Sequence, residues 1–233
     1  MNAMIYDTAT IIVPMVFAIV FHEVAHGLAA RQLGDPTASD QGRLSLNPLR
    51  HVDLYGTILL PGVLHLAGLP VFGWAKPVPV DYYRLRNPKR DMAIVGAAGP
   101  ATNFLLAILS AIALGLLARF YGASGVPGPA LGFVLDNLKN FIEFNCFLGM
   151  FNLLPLPPFD GSRILRGFLP RSGARLLDRI EPFGIVVFFL IFVALPQLMP
   201  TLHLVDRLLL PPVAWLLTQL AVLASLVAGP ING

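Results

Sequence analysis

The chain has 233 residues, of which 56% are hydrophobic and only 12% charged, against about 25% charged in an ordinary soluble domain. That balance excludes a disordered chain and argues against a soluble globule. The single cysteine excludes an intramolecular disulfide framework and a zinc ribbon, and a net charge of +3 without a continuous basic stripe argues against nucleic-acid binding.

Thr8 to Ala30 is nearly all apolar and holds one acid, Glu23. It lacks the basic leader of a signal peptide and runs into a histidine-bearing motif, so it reads as mature chain. Leu54 to Trp74 carries no formal charge, but Pro61, Gly62, Gly68, Pro70 and Gly73 interrupt it, a density of breakers that disfavours a regular span. With Val71 to Val80 it predicts a loop or small β element that dips into the membrane against protein, where irregular backbone can be satisfied. Met92 to Ala118, Phe144 to Phe159, Pro182 to Val205 and Leu208 to Ile231 hold no acidic residue, lysine or arginine. A span needs about 20 apolar residues, so the short run Phe144 to Phe159, third of the five helices, is expected to start earlier, near Asp136. The fold class is an all-α integral membrane protein with five transmembrane helices, six if Leu54 to Trp74 also crosses.

Basic residues gather between the first and second helices, from Arg31 to Arg90, and between the third and fourth, from Arg163 to Arg179. The opposite links hold Arg119, Lys139 and Arg207. The positive-inside rule puts the two basic links in the cytoplasm and the N-terminus outside.

His22-Glu23-Val24-Ala25-His26 matches H-E-x-x-H. On a helix, positions i and i+4 share a face, so both imidazoles can reach one Zn²⁺ while the glutamate takes a proton from water. Ionisable groups at bilayer depth cost at least ~2.5 kcal/mol each, and a metal compensates three of them at once. A hydrogen-bonded polar cluster is the alternative. A catalytic zinc takes three protein ligands and a water. His51, His65, His203 and several acids are candidates for the third ligand. Asp160, in Asn152-Leu-Leu-Pro-Leu-Pro-Pro-Phe-Asp160-Gly161, is two crossings away from Glu23 and so returns to the same side. By spacing alone an ordinary Asp-Gly turn at a membrane exit is the favoured reading of Asp160.

HEVAH in one apolar helix, Gly99-Pro-Ala-Thr-Asn103 in the next and NLLPLPPFDG at Asn152 to Gly161 resemble the site-2 protease family of intramembrane zinc metalloproteases. The segments GRLSLNPLRHVDLYGT and FGWAKPVPV are similar to its compact bacterial and archaeal members, which lack PDZ and CBS domains. The resemblance covers Phe17 to Arg166. It implies one Zn²⁺ per chain held by His22, His26 and Asp160, with Glu23 as the catalytic acid and base. It implies a membrane-protein substrate cut within the bilayer, and a prokaryotic cell membrane as location. It also implies that Asn152 bonds unwound substrate backbone. Asn103 has the same chemistry, but Gly99 and Ala101 beside it suggest helix packing. His51 is either an oxyanion donor or metal contact, or a loop histidine bonded to backbone.

The expected organisation is a metalloprotease core over residues 1–180 and a C-terminal helix pair over 181–233. The competing reading is a non-proteolytic metal-binding membrane protein, either a transporter or an inactive scaffold. A transporter should spread polar residues through several helices, and a scaffold should have lost Glu23.

Overall fold

A computed structural model describes residues 3–66, 68, 73–121, 128–199 and 204–229. The chain starts with α1 (Ala3–Gln32), followed by the single turn α2 (Thr37–Asp40) and the short α3 (Leu60–Leu66). Next come α4 (Pro88–Tyr121), α5 (Pro129–Asn152), α6 (Asp160–Phe168) and α7 (Arg171–Ile180). The last elements are α8 (Gly184–Phe189), α9 (Leu195–Leu198), α10 (Leu204–Leu208) and α11 (Leu210–Ala228).

Four helical stretches are long and apolar enough to cross a membrane among the described residues: Ala3–Gln32, Pro88–Tyr121, Arg171–Leu198 and Leu210–Ala228. The third expected helix, at Phe144 to Phe159, is present as α5, but it begins at Pro129, before the apolar run, and ends at Asn152 rather than Phe159. The prolines at 155, 157 and 158 explain the early end, since each removes a helical N–H. Asp136, Lys139 and Glu143 reduce its apolarity. Asp136 accepts from Tyr6 Oη at 2.8 Å and lies 3.4 Å from Lys139 Nζ.

The interrupted segment after α1 differs from expectation. Leu54–Leu59 forms a π-helical turn that leads into α3, and Leu54, Ile58, Val63 and Leu66 are exposed. Asp53 starts this turn by accepting from the N–H groups of Tyr55 and Gly56 at 3.0 and 2.7 Å. No β-strand occurs among the described residues. Of the loop or β element expected here, residues 73–80 form an extended run but no strand, because its N–H groups bond to the carbonyls of His51 and Gly56, in short helical turns, and to a side chain instead of a partner strand. Val71 and Phe72 lie outside the described residues, as do His203 and the side chain of His65.

Two compact units are distinguished. The first comprises Met1–Ala18, Ala101–Phe151 and Val205–Gly233. Its apolar core joins Ala107 and Ala111 of α4, Ile142 and Cys146 of α5, and Val213 and Leu220 of α11. Buried polar groups are paired, as apolar surroundings require. Asn103 Nδ2 donates to Asn145 Oδ1 at 2.8 Å and to the Ala18 carbonyl at 3.3 Å, and Asn140 Nδ2 donates to the Thr10 carbonyl at 2.6 Å.

The second unit comprises Ile19–Pro100 and Asn152–Leu204. Ala30, Leu85 and Val95 form a small core there. A loop after α1 fastens the later chain. Gly34 takes φ of +112°, the region that glycine alone enters freely, and Leu33 accepts from Arg86 N–H at 3.1 Å. Asp35, fully buried, accepts from the hydroxyl and N–H of Thr37 and, at 2.6 Å, from Asp81 N–H.

Candidate active site

His22 and His26 sit one turn apart on α1, and both are buried, 4% exposed each. Asp160, 5% exposed, opens α6 directly after the Pro-rich turn. His22 Nε2 and His26 Nε2 are 3.1 Å apart, and each lies 3.1 Å from Asp160 Oδ2. A tetrahedral ion with bonds of about 2.0–2.1 Å holds its ligand atoms about 3.3 Å apart, so the triangle matches that size.

Protonation supports the same reading. His26 Nδ1 is 2.7 Å from the Val95 carbonyl. A carbonyl accepts only, so Nδ1 carries a proton, and in the neutral ring Nε2 directs a lone pair into the triangle. The buried cluster thus gathers lone pairs from His26 and Asp160 around one point. A cation satisfies that arrangement, and a histidine bonded through Nδ1 to a carbonyl is the usual orientation of a metal ligand. His22, His26 and Asp160 form the only such group of metal-binding side chains among the described residues.

Glycines make the room. A Cβ on Gly99 of α4 would come within 2.5–2.6 Å of His26 Nε2, His26 Cε1 and His22 Cε1. A Cβ on Gly161 would collide with the Leu153 and Leu154 carbonyls, so the residue after Asp160 must be glycine for α6 to start where it does. Arg163, one turn along α6, reaches Asp160 Oδ1 at 3.4 Å.

Glu23, next to His22, is half-buried, and its Oε2 accepts from Val78 N–H at 2.8 Å. His51 is not part of the triangle. It is 3% exposed, with Nε2 at 2.8 Å from the Ser45 carbonyl. That bond puts the proton on Nε2 and leaves Nδ1 as an acceptor, which in the neutral ring cannot stabilise an oxyanion. Asn103 is fully buried in the first unit, and Asn152 is half-buried at the end of α5. The roles of Gly99, the Val95 carbonyl, Arg163 and the Val78 N–H were not read from sequence. Gly99 alone gave a sign, as a glycine inside an apolar helix, and there it suggested packing.

The family model described as "Peptidase family M50" matches residues 10–142 and 130–195. "Putative zinc metalloprotease YwhC" of Bacillus subtilis (strain 168) is 37% identical over 184 residues, 78% of this chain and 80% of that protein. "Putative zinc metalloprotease Rip2" of Mycolicibacterium smegmatis is 30% identical over 188 residues, 79% of this chain and 68% of that protein. "Zinc metalloprotease MJ0392" of Methanocaldococcus jannaschii is 26% identical over 164 residues, 70% of this chain and 35% of that protein. No solved structure matches the chain significantly. The zinc in these names agrees with the nitrogen and oxygen donors of the triangle. The chain belongs to peptidase family M50, the site-2 proteases, and is a multi-pass membrane protein and a zinc metalloendopeptidase.

Proposed function

We propose that this metalloendopeptidase cuts peptide bonds within or near transmembrane segments of other membrane proteins. The observation that carries the reading is the convergence of His22 Nε2, His26 Nε2 and Asp160 Oδ2, each 3.1 Å from the others, with two of the three on an apolar 30-residue helix. His22, His26 and Asp160 would hold the zinc, which supplies Lewis acidity toward a carbonyl and toward water. Glu23 is the acid and base. Its carboxylate accepts the proton of the attacking water and delivers it to the departing amine. Asn152 would hold the unwound substrate backbone. For Asn103 the bonds to Asn145 and Ala18 support bracing of helices. The lipid bilayer and a membrane-protein substrate are the partners. The basic links support a cell-membrane orientation with the N-terminus outside and the site toward the cytoplasm.

The transporter and inactive-scaffold readings lack support, since Glu23 is retained and the described residues hold one metal-binding group. The test is cleavage of a membrane-embedded substrate in vesicles by wild type and Glu23→Gln, with zinc measured in both. Glu23→Gln should keep its zinc and lose roughly 10²–10⁴-fold in rate. Cleavage of soluble peptides alone, with the embedded substrate intact, would refute the intramembrane reading.

A further inference from the structure

We propose that the main-chain N–H of Val78 is a positioning group for catalysis, which orients the Glu23 carboxylate; this rests on Glu23 being the acid and base. The argument begins with the sequence Lys76-Pro77-Val78-Pro79. Prolines carry no N–H, so Val78 is the only main-chain donor between residues 77 and 79. In extended chain, alternate residues present their N–H groups to the same edge. Along this edge Trp74 N–H donates to the Gly56 carbonyl at 3.1 Å, Lys76 N–H to the His51 carbonyl at 2.8 Å, and Val78 N–H to Glu23 Oε2 at 2.8 Å. The third rung therefore meets a side chain where the first two meet backbone.

The donor is held independently of Glu23. Thr57 Oγ1 donates to the Trp74 carbonyl at 2.8 Å and Arg43 Nη2 to the Lys76 carbonyl at 2.9 Å. Beyond it, Asp81 N–H is bound by Asp35 Oδ2 at 2.6 Å. Val78 is buried, 6% exposed, and its Cγ1 would lie 2.8 Å from a Cβ on Gly27, one turn along α1 from Glu23. Gly27 thus lets the run come close enough to the helix for the bond to form. Glu23 has one oxygen tied, and its Oε1 has no hydrogen-bond partner among the described residues. One oxygen fixes the rotamer and the other is left to exchange a proton. A carboxylate pre-set in this way avoids the search through rotamers that a free glutamate would make before each proton transfer.

The test compares zinc content, kcat and KM for wild type, Val78→Pro, Val78→Ala and a semisynthetic protein in which the Val78 amide is replaced by an ester. The ester keeps the side chain and removes only the N–H, so it reports even if Val78→Pro fails to fold. Misplacement of a reacting group costs up to about 10²-fold, so the ester should lower kcat about 10- to 100-fold with KM and zinc nearly unchanged. Val78→Ala keeps the N–H and trims only the side chain, so it should lose less kcat than the ester; a loss as large as the ester's would put the effect on packing rather than on the N–H. In a Glu23→Asp background the shorter carboxylate no longer reaches Val78, so the ester should add less than about threefold, the non-additivity of groups that act together. A wild-type kcat for the ester, or a full extra loss in Glu23→Asp, overturns the proposal. A Glu23→Gln protein that cuts at the wild-type rate overturns instead the assignment of Glu23 on which it rests.

Discussion

Arg163 and Asp160 are joined across one turn of α6, with Arg163 Nη1 at 3.4 Å from Asp160 Oδ1. Asp160 therefore divides its carboxylate, with Oδ2 facing both imidazoles and Oδ1 facing the guanidinium. Partners of this kind orient a metal-binding carboxylate, and their loss typically costs 10- to 100-fold in metal affinity or activity. The Arg163 side chain is 38% exposed, so solvent screens it and the lower end applies. Arg163→Gln should weaken zinc binding about tenfold, measured by competition with a chelator of known affinity. Asp160→Ala should remove zinc altogether. Equal affinity in Arg163→Gln and wild type would show the ion pair to be incidental.

Gly99→Ala is the smallest change that should empty the site. The added Cβ would stand within 2.5–2.6 Å of three imidazole atoms of His22 and His26. Both rings are buried with little room to yield, and overpacking a tight core costs about 1–3 kcal/mol. The protein should remain helical by circular dichroism, lose most of its zinc, and lose cleavage in proportion. Full zinc occupancy in Gly99→Ala would mean that the rings can shift without penalty.

The two ends of the site were unequally legible in the sequence. His22, Glu23 and His26 declare themselves because a four-residue spacing on a helix is a local rule. Asp160 lies 134 residues beyond His26, and no periodicity connects them, so its place depended on the resemblance. Gly99 and Gly161 contribute space, which leaves no chemical mark on a sequence. Whether the run over residues 73–80 is loop or β element stayed open in the sequence, because strand character depends on what lies opposite. Here that is the short helical turns at His51 and Gly56 and the side chain of Glu23. The start of α5 was placed late because its first half carries Asp136 and Lys139; they pair at i,i+3 spacing, but the Tyr6 partner of Asp136 is visible only in three dimensions. The apolar helices themselves were legible, since hydropathy over some twenty residues needs no tertiary knowledge.

Asp35 connects folding to pH. Burial pushes its carboxyl up, but the hydroxyl and N–H of Thr37, the N–H of Asp81 and the charge of Arg84 outweigh this and hold it below the ordinary range. A group depressed on folding stabilises the fold above its unfolded pKa, about 4 for aspartate, and that contribution is lost as pH falls through the folded value. Thermal unfolding in detergent should thus show a stability decline in wild type from about pH 4 downward. Asp35→Asn should lower stability at pH 7 by about 1–3 kcal/mol, since charged hydrogen bonds are lost from a buried site, and should show a flatter decline in acid. Parallel acid profiles for the two proteins would remove Asp35 from the account.

Sidedness offers the last test. α4 has 34 residues, which at 1.5 Å per residue gives a helix of about 50 Å, well beyond the roughly 30 Å of hydrocarbon. Its two ends, near Arg86 and Arg119, should therefore meet water on opposite sides. Arg171 follows α6 and starts the stretch Arg171–Leu198. If α5 crosses despite Asp136, Lys139 and Glu143, two crossings separate Arg86 from Arg171, and both should face the cytoplasm. Single cysteines at 86, 119 and 171 can be labelled with a membrane-impermeant maleimide in intact cells and in inverted vesicles. Cys146 need not be removed, because it is wholly buried in the core with Ala107 and Val213. Positions 86 and 171 should label in inverted vesicles and position 119 in intact cells. Labelling of 86 and 171 from opposite sides would mean that α5 does not cross, and that the charges within it keep it at the surface.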